Sequence, residues 1–283
     1  MTDGEHLEIW DGDVFVGGAK TRRMPLQTKV TLTGATLFKD DYPQLECWID
    51  YHVQLGFERF ILYYIGCVSK IAPEIISSGI ANRTEILLVP WPYSYWVDDM
   101  EMGPEGLIAK FGDSAPLKVG QKDWHHAQQL MLNHSLTLLQ GSTDFLGFFD
   151  LDEYFRPSHA KQSLLKFCQD HQQNIYIFQS RWSELHNDAT PRFGDDRHFL
   201  RQHKVLAVPE RVPFPARTKY IGRPEKILKT GAHVPKAIAA ETKMTKFDSD
   251  AFGIYRFHSF SSQASRRNII TTGGEWMEIE NFI

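Results

Sequence analysis

The chain has 283 residues, 42% of them hydrophobic and 23% charged, and a formal net charge of -4, which gives no basic surface for nucleic acid. Its three cysteines, Cys47, Cys67 and Cys168, are odd in number and widely spaced, which argues against a disulfide framework or a zinc site and fits a reducing compartment. The polar start lacks a signal-peptide pattern, and no window approaches the roughly 20 apolar residues of a spanning helix, so a soluble cytoplasmic protein without a membrane span is expected.

Residues 1–29 read as an extended arm. Val30 to Phe38, rich in Thr, Val and Leu, reads as a first strand. Asp40 or Asp41 can cap the helix that follows, with Pro43 in its first turn and Leu45, Trp48, Ile49, His52 and Val53 on one face until Gly56. Phe60 to Ile65 is a second strand, Pro73 to Ser78 a weak helix, and Glu85 to Val89 a third strand closed by Pro90. This alternation is the pattern of a parallel α/β sheet. Residues 90–122, with Trp91, Tyr93, Tyr95 and Trp96, form a long loop of the kind that serves as a lid. A helix from Asp123 to about Gln140 precedes the apolar run Phe145 to Phe149, and Ala160 to His171 (helix) and Ile175 to Gln179 (strand) follow it. Beyond Ser180 periodicity fades, with short strands expected within Thr218 to Ile227 and at Ile254 to Phe257. The reading is one mixed α/β domain over residues 30–260, with a tail over 261–283.

The run Phe145 to Phe149 has the texture of a strand buried on both faces, and it delivers Asp150, Asp152 and Glu153. Alternation along an extended chain would put Asp150 and Asp152 on one side. Two carboxylates so placed repel unless a cation lies between them, and hard divalent ions prefer oxygen ligands. In open α/β sheets ligands bind beyond the carboxyl ends of the strands. An Asp-x-Asp there points to a metal site that holds a phosphate.

Several segments then fall into a familiar order. Leu37-Phe38-Lys39-Asp40-Asp41-Tyr42-Pro43-Gln44-Leu45-Glu46-Cys47-Trp48-Ile49-Asp50-Tyr51-His52, followed by Leu55-Gly56-Phe57, resembles the opening of glycosyltransferases of family 92 and their family 2-like relatives. Asp144 to Tyr154 resembles their acidic strand. Arg217 to Ile221 with Arg223-Pro224 and Gly231-Ala232-His233, and then Phe257-His258, resemble two later elements. The resemblance covers roughly Thr36 to Phe260. It implies a GT-A-like single domain with a mostly parallel central sheet flanked by helices. It also implies a nucleotide-sugar donor, expected to be a UDP-sugar, a glycan or glycoprotein acceptor, and a divalent ion, manganese first and magnesium second.

Under that resemblance Asp152 is the first choice for direct metal ligand. Asp150 binds the metal through water or holds the donor. His258 matches the late family histidine and is the third metal ligand, with His233 behind it. Arg256 suits a bidentate phosphate contact. Lys219, Arg223 and Lys226 are further cations for the diphosphate. Lys39 and Glu46 flank the first strand-helix turn and are expected at the nucleotide, and Asn133 matches a polar position that reaches the donor. Glu184, ahead of Asp188, is the candidate base if transfer inverts the anomeric centre, and Trp182 could stack on a sugar. A nucleotidyl- or phosphoryl-transferring enzyme using the same carboxylates, and a non-catalytic carbohydrate-binding protein, are the competing readings. No Gly-rich phosphate loop supports the former.

Overall fold

The computed structural model describes residues 5–11, 14–21, 28–39, 42–91, 126–157, 163–186, 190–195, 199–207, 218–247, 252–257, 260 and 277–279. Two strands within the expected arm, β1 (Glu5–Asp11) and β2 (Val14–Thr21), pair antiparallel as a separate sheet. The main sheet begins at β3 (Val30–Phe38). Then come α1 (Leu45–Gln54), β4 (Arg59–Tyr64), α2 (Val68–Ser77), β5 (Glu85–Pro90), α3 (His126–Leu139) and β6 (Thr143–Phe148).

β6, β3, β4 and β5 lie side by side and parallel, so their carboxyl ends reach one edge. Alternation decides what each face meets. Phe60, Leu62 and Tyr64 of β4 join the core under α1 and α2, whereas Ile61 and Tyr63 join the core under α3. The fold is therefore the mixed α/β architecture expected, with a large sheet covered by helices on both faces.

Local chemistry explains most element ends. Ser163 caps α4 (Leu164–His171) by accepting the Lys166 N–H at 3.1 Å. Gly56 ends α1 at φ +100°, and a Cβ there would stand 2.9 Å from Cβ of Leu165 on α4. The expected aspartate cap of α1 does not fall at its N-cap. Gln44 holds that position without a side-chain cap bond, and its amide donates instead to the Phe260 carbonyl. Asp40, Asp41, Asp123 and the aromatic loop beyond Trp91 lie outside the described residues.

The second half is more regular than its sequence suggests. After β6 the chain turns into β7 (Glu153–Pro157), and β8 (Ile175–Leu185) runs six residues past Gln179. Then follow the one-turn helix α5 (Phe199–Gln202), β9 (Val205–Ala207), β10 (Thr218–Gly222), β11 (Ile227–Lys229), β12 (Ala237–Ile238), β13 (Met244–Phe247), β14 (Phe252–Phe257) and β15 (Met277–Ile279). β10 lies antiparallel between β6 and β8. β14 runs parallel to the far half of β8 and antiparallel to β7. The sequence hides this half because its strands carry Arg181, Glu184, Lys219 and Arg256, polar residues that break apolar alternation. No helix among the described residues is long and apolar enough to cross a membrane.

Candidate active site

Residues 150–152 form a turn, not the extended segment that alternation presumed. The Glu153 N–H donates to the Asp150 carbonyl at 3.0 Å, and the Asp150 N–H donates to the Glu153 carboxylate at 2.8 Å. Closed from both sides, the turn gathers three carboxylates, with one oxygen of each of Asp150, Asp152 and Glu153 within 4.8 Å of the others. Leu151 points the other way and is buried in the core.

Two distant elements clamp this turn. Trp48 on α1 donates its indole N–H to the carbonyls of Asp150 and Glu153, each at 3.1 Å. From β14, the Phe257 N–H donates to the Asp152 carbonyl at 2.8 Å.

Two cations face the carboxylates. Lys219 on β10 places Nζ 3.0 Å from both Asp150 Oδ2 and Glu153 Oε2. Arg256 on β14 reaches Asp152 Oδ2 at 3.1 Å, Glu153 Oε1 at 3.3 Å and Asp150 Oδ2 at 3.6 Å. Its guanidinium carbon stands 5.5 Å from the centre of the Trp182 ring. Burial pushes the Glu153 carboxyl up from its ordinary value, against the opposing pull of Lys219 and Arg256. Burial alone would lower the Lys219 ammonium, but Asp150 and Glu153 more than offset it and leave it raised. Glu153 and Lys219 are almost wholly enclosed, whereas the Asp150 side chain keeps 29% of its surface open. Asp150 is thus the most open of the three carboxylates.

The structure brings Asp150, Asp152 and Arg256 together. Strand register adds Trp182, the partner of Arg256 on β8, and Glu184, two residues further on the same face. One face of Trp182 is taken by the guanidinium, so the ring supports Arg256 rather than standing open to a sugar on both sides. His233 lies close enough to Lys219, Glu153 and Asp150 to feel their charges, and burial followed by Lys219 lowers its pKa. Its Nδ1 donates to the Thr218 carbonyl at 2.9 Å, which leaves Nε2 as the acceptor nitrogen.

Other expected residues are placed elsewhere. Glu46 accepts the Gly194 N–H at 3.0 Å and pairs with Arg83 at 3.5 Å, beside the Arg83–Asp50 bridge. Asn133 accepts a hydrogen bond from Thr230 at 2.6 Å. Lys39 is exposed just past β3. Arg223 stacks on Phe145 at the opposite end of β6, 4.6 Å from the ring centre. His258 and Asp188 lie outside the described residues. Lys219, expected as a cation for the diphosphate, is instead paired with Asp150 and Glu153, a contact that sequence reasoning did not find. Its place between Thr218 and the apolar Tyr220-Ile221 was the available signal, because a lysine in a buried strand needs a partner.

An acidic trio at the carboxyl edge of an α/β sheet, with two cations against it, is a donor set consistent with a metal site. The chain matches the model of glycosyltransferase family 92 over residues 29–279 and belongs to that family. No protein of curated function matches it in sequence at a significant level. Among solved structures it is similar to S. aureus TarS 1-349, at 12% identity and a TM-score of 0.39, over 80% of this chain and 60% of that one. It is also similar to HddC from Yersinia pseudotuberculosis, at 10% identity and a TM-score of 0.35, over 76% of this chain and 89% of that one. The chain thus spans about 60% of the length of the TarS fragment.

Proposed function

We propose that this protein is a GT-A-type enzyme that moves a sugar from a nucleotide-diphosphate donor, a UDP-sugar first, to a hydroxyl of a glycan acceptor. The observation that carries this reading is the convergence of Asp150, Asp152 and Glu153 on one spot at the sheet's carboxyl edge. The three described carboxylates fit manganese or magnesium, since both are hard ions that prefer oxygen ligands. Charge supports the fit as well. Three carboxylates against Lys219 and Arg256 leave the cluster one charge negative, which repels a diphosphate. A divalent ion reverses that sign.

Asp152 and Asp150 would hold the ion, and it would supply Lewis-acid stabilisation of the departing diphosphate. His258 remains the proposed third ligand, with His233 Nε2 as the described alternative. Glu153 serves as the pillar of the site, because both its oxygens are bonded to the turn, Lys219 or Arg256. Arg256, anchored to Asp152 and Trp182, would meet donor phosphate. In an inverting transfer Glu184, ahead of Asp188, takes the acceptor proton, since β8 carries it on the face shared with Arg256. Lys39, Glu46 and Asn133 stay assigned to the donor. For Glu46 and Asn133, the bonds to Gly194 and Thr230 would have to be shared with it or exchanged.

The test is a panel of nucleotide sugars with manganese, with magnesium and with chelator, read as free nucleoside diphosphate. Release that stops on chelation and in Asp152→Ala is the expected result. Pyrophosphate as product, or full activity in Asp152→Ala, rejects the reading.

A further inference from the structure

Lys219 has an unusual position for a lysine. It is the second residue of β10, the strand between β6 and β8, with 3% of its surface exposed. Lysine is almost never so enclosed unless it is paired, and here a single ammonium bridges two carboxylates at equal distances of 3.0 Å. One of them, Glu153, is enclosed and also held by the Asp150 N–H and by Arg256. The other, Asp150, is the open carboxylate.

The same oxygen, Asp150 Oδ2, faces Lys219 and lies 3.6 Å from Arg256. A divalent ion that takes this oxygen would bind at about 2.0–2.6 Å. Two or three positive groups would then crowd one oxygen, and like charges at that range repel strongly in a water-poor site. One of the protein's cations has to withdraw. Arg256 is fixed by three carboxylates, by the Trp182 ring, and by the main-chain bond of the next residue to Asp152. Lys219 carries a compact charge on a flexible four-carbon stem and can swing while its backbone stays in the sheet.

Resting on the metal-dependent reading above, we propose that Lys219 is a positioning residue that acts as an exchangeable internal counter-ion. It holds Asp150 until a divalent ion takes that carboxylate, and the displaced ammonium then meets the donor diphosphate. Ion and donor therefore bind in that order. Lys219 sets the ion affinity low in the absence of nucleotide and raises nucleotide affinity once the ion is bound.

The experiment titrates manganese into the full chain without nucleotide, following the free-ion paramagnetic resonance signal, for the natural protein and for Lys219→Met. Methionine keeps the stem and removes the charge. The expected result is at least tenfold tighter manganese binding by Lys219→Met, with at least tenfold weaker binding of UDP at saturating manganese. Equal or weaker manganese binding by the variant overturns the counter-ion role while leaving the metal reading in place. Manganese binding to neither protein overturns both. Should Lys219→Met fail to fold, lysine-selective nitrogen NMR of the natural protein decides. A protected ammonium signal, absent in Lys219→Arg, should shift or vanish on saturation with magnesium, and a signal unchanged by magnesium refutes the exchange.

Discussion

Trp48 donates its indole N–H to the main-chain oxygen of Glu153 at 3.1 Å, which fastens the first helix to the floor of the carboxylate turn. The same hydrogen serves Asp150. Trp48→Phe keeps the aromatic packing against Phe149 and removes the donor from two carbonyls. The expected cost is about 1–3 kcal/mol of stability, by urea unfolding. Manganese binding should weaken with it, because the carboxylates lose the brace that orients them. A variant of natural manganese affinity would show that the turn holds its shape without the helix.

Gly231 precedes His233 in the loop after β11. A Cβ on it would stand 2.2 Å from the main-chain oxygen of Val234, and backbone cannot move aside cheaply. Gly231→Ala should therefore reshape residues 231–234 and break the bond from His233 to the Thr218 carbonyl. The measurable outcome is a changed histidine NMR shift and tautomer for His233, together with a lowered melting temperature.

His52 is fully buried among Trp48, Phe149 and Tyr154, and burial pushes its pKa down to about 3. In the unfolded chain a histidine takes up its proton near 6.5, so below that pH the unfolded state binds more protons than the folded one. The stability contributed by neutral His52 is complete above about pH 6.5 and declines as pH falls towards about 3. The slope is about 1.4 kcal/mol per pH unit within that window. His52→Phe should lack this slope. Unfolding free energies of the two proteins should thus converge, or cross in favour of the variant, on acidification from pH 6.5 to 4. Parallel curves would refute the assignment.

Glu184 is the described carboxylate that β8 sets on the face of Arg256 and Trp182. Glu184→Gln keeps size and hydrogen bonding but cannot take a proton. Turnover to acceptor should fall about 100-fold to 10,000-fold with donor affinity unchanged. Loss of donor affinity instead would move Glu184 to the donor side.

Much of the first half was legible in the chain because its signals are local. Val30–Phe38, Arg59–Tyr64 and Glu85–Pro90 are largely apolar runs bounded by Gly or Pro, the first two mostly buried and the third a half-buried edge, and parallel strands need nothing more. The acidic cluster was legible for the same reason, as three carboxylates straight after such a run. Its geometry was not, because the turn closes through the Glu153 side chain, and Glu153 also begins β7. The ion pairs of Lys219 and Arg256 were not legible because their partners are far away in sequence. Both strands are buried and otherwise largely apolar, and hydrophobic periodicity cannot report the ion pairs that one charged residue in each makes.

β8 has one further consequence. Its first residues pair with β10 and β13, its last with β14 and β9, so one uninterrupted backbone sets the frame for both the Lys219 and the Arg256 strands. Gaining or losing a single residue midway would rotate Trp182 and Glu184 to the opposite surface while Lys219 kept its neighbours. A change in that ribbon's length would thus part Trp182 from Arg256, whereas point substitutions on it, or longer segments beyond Leu185, would leave the pairing intact.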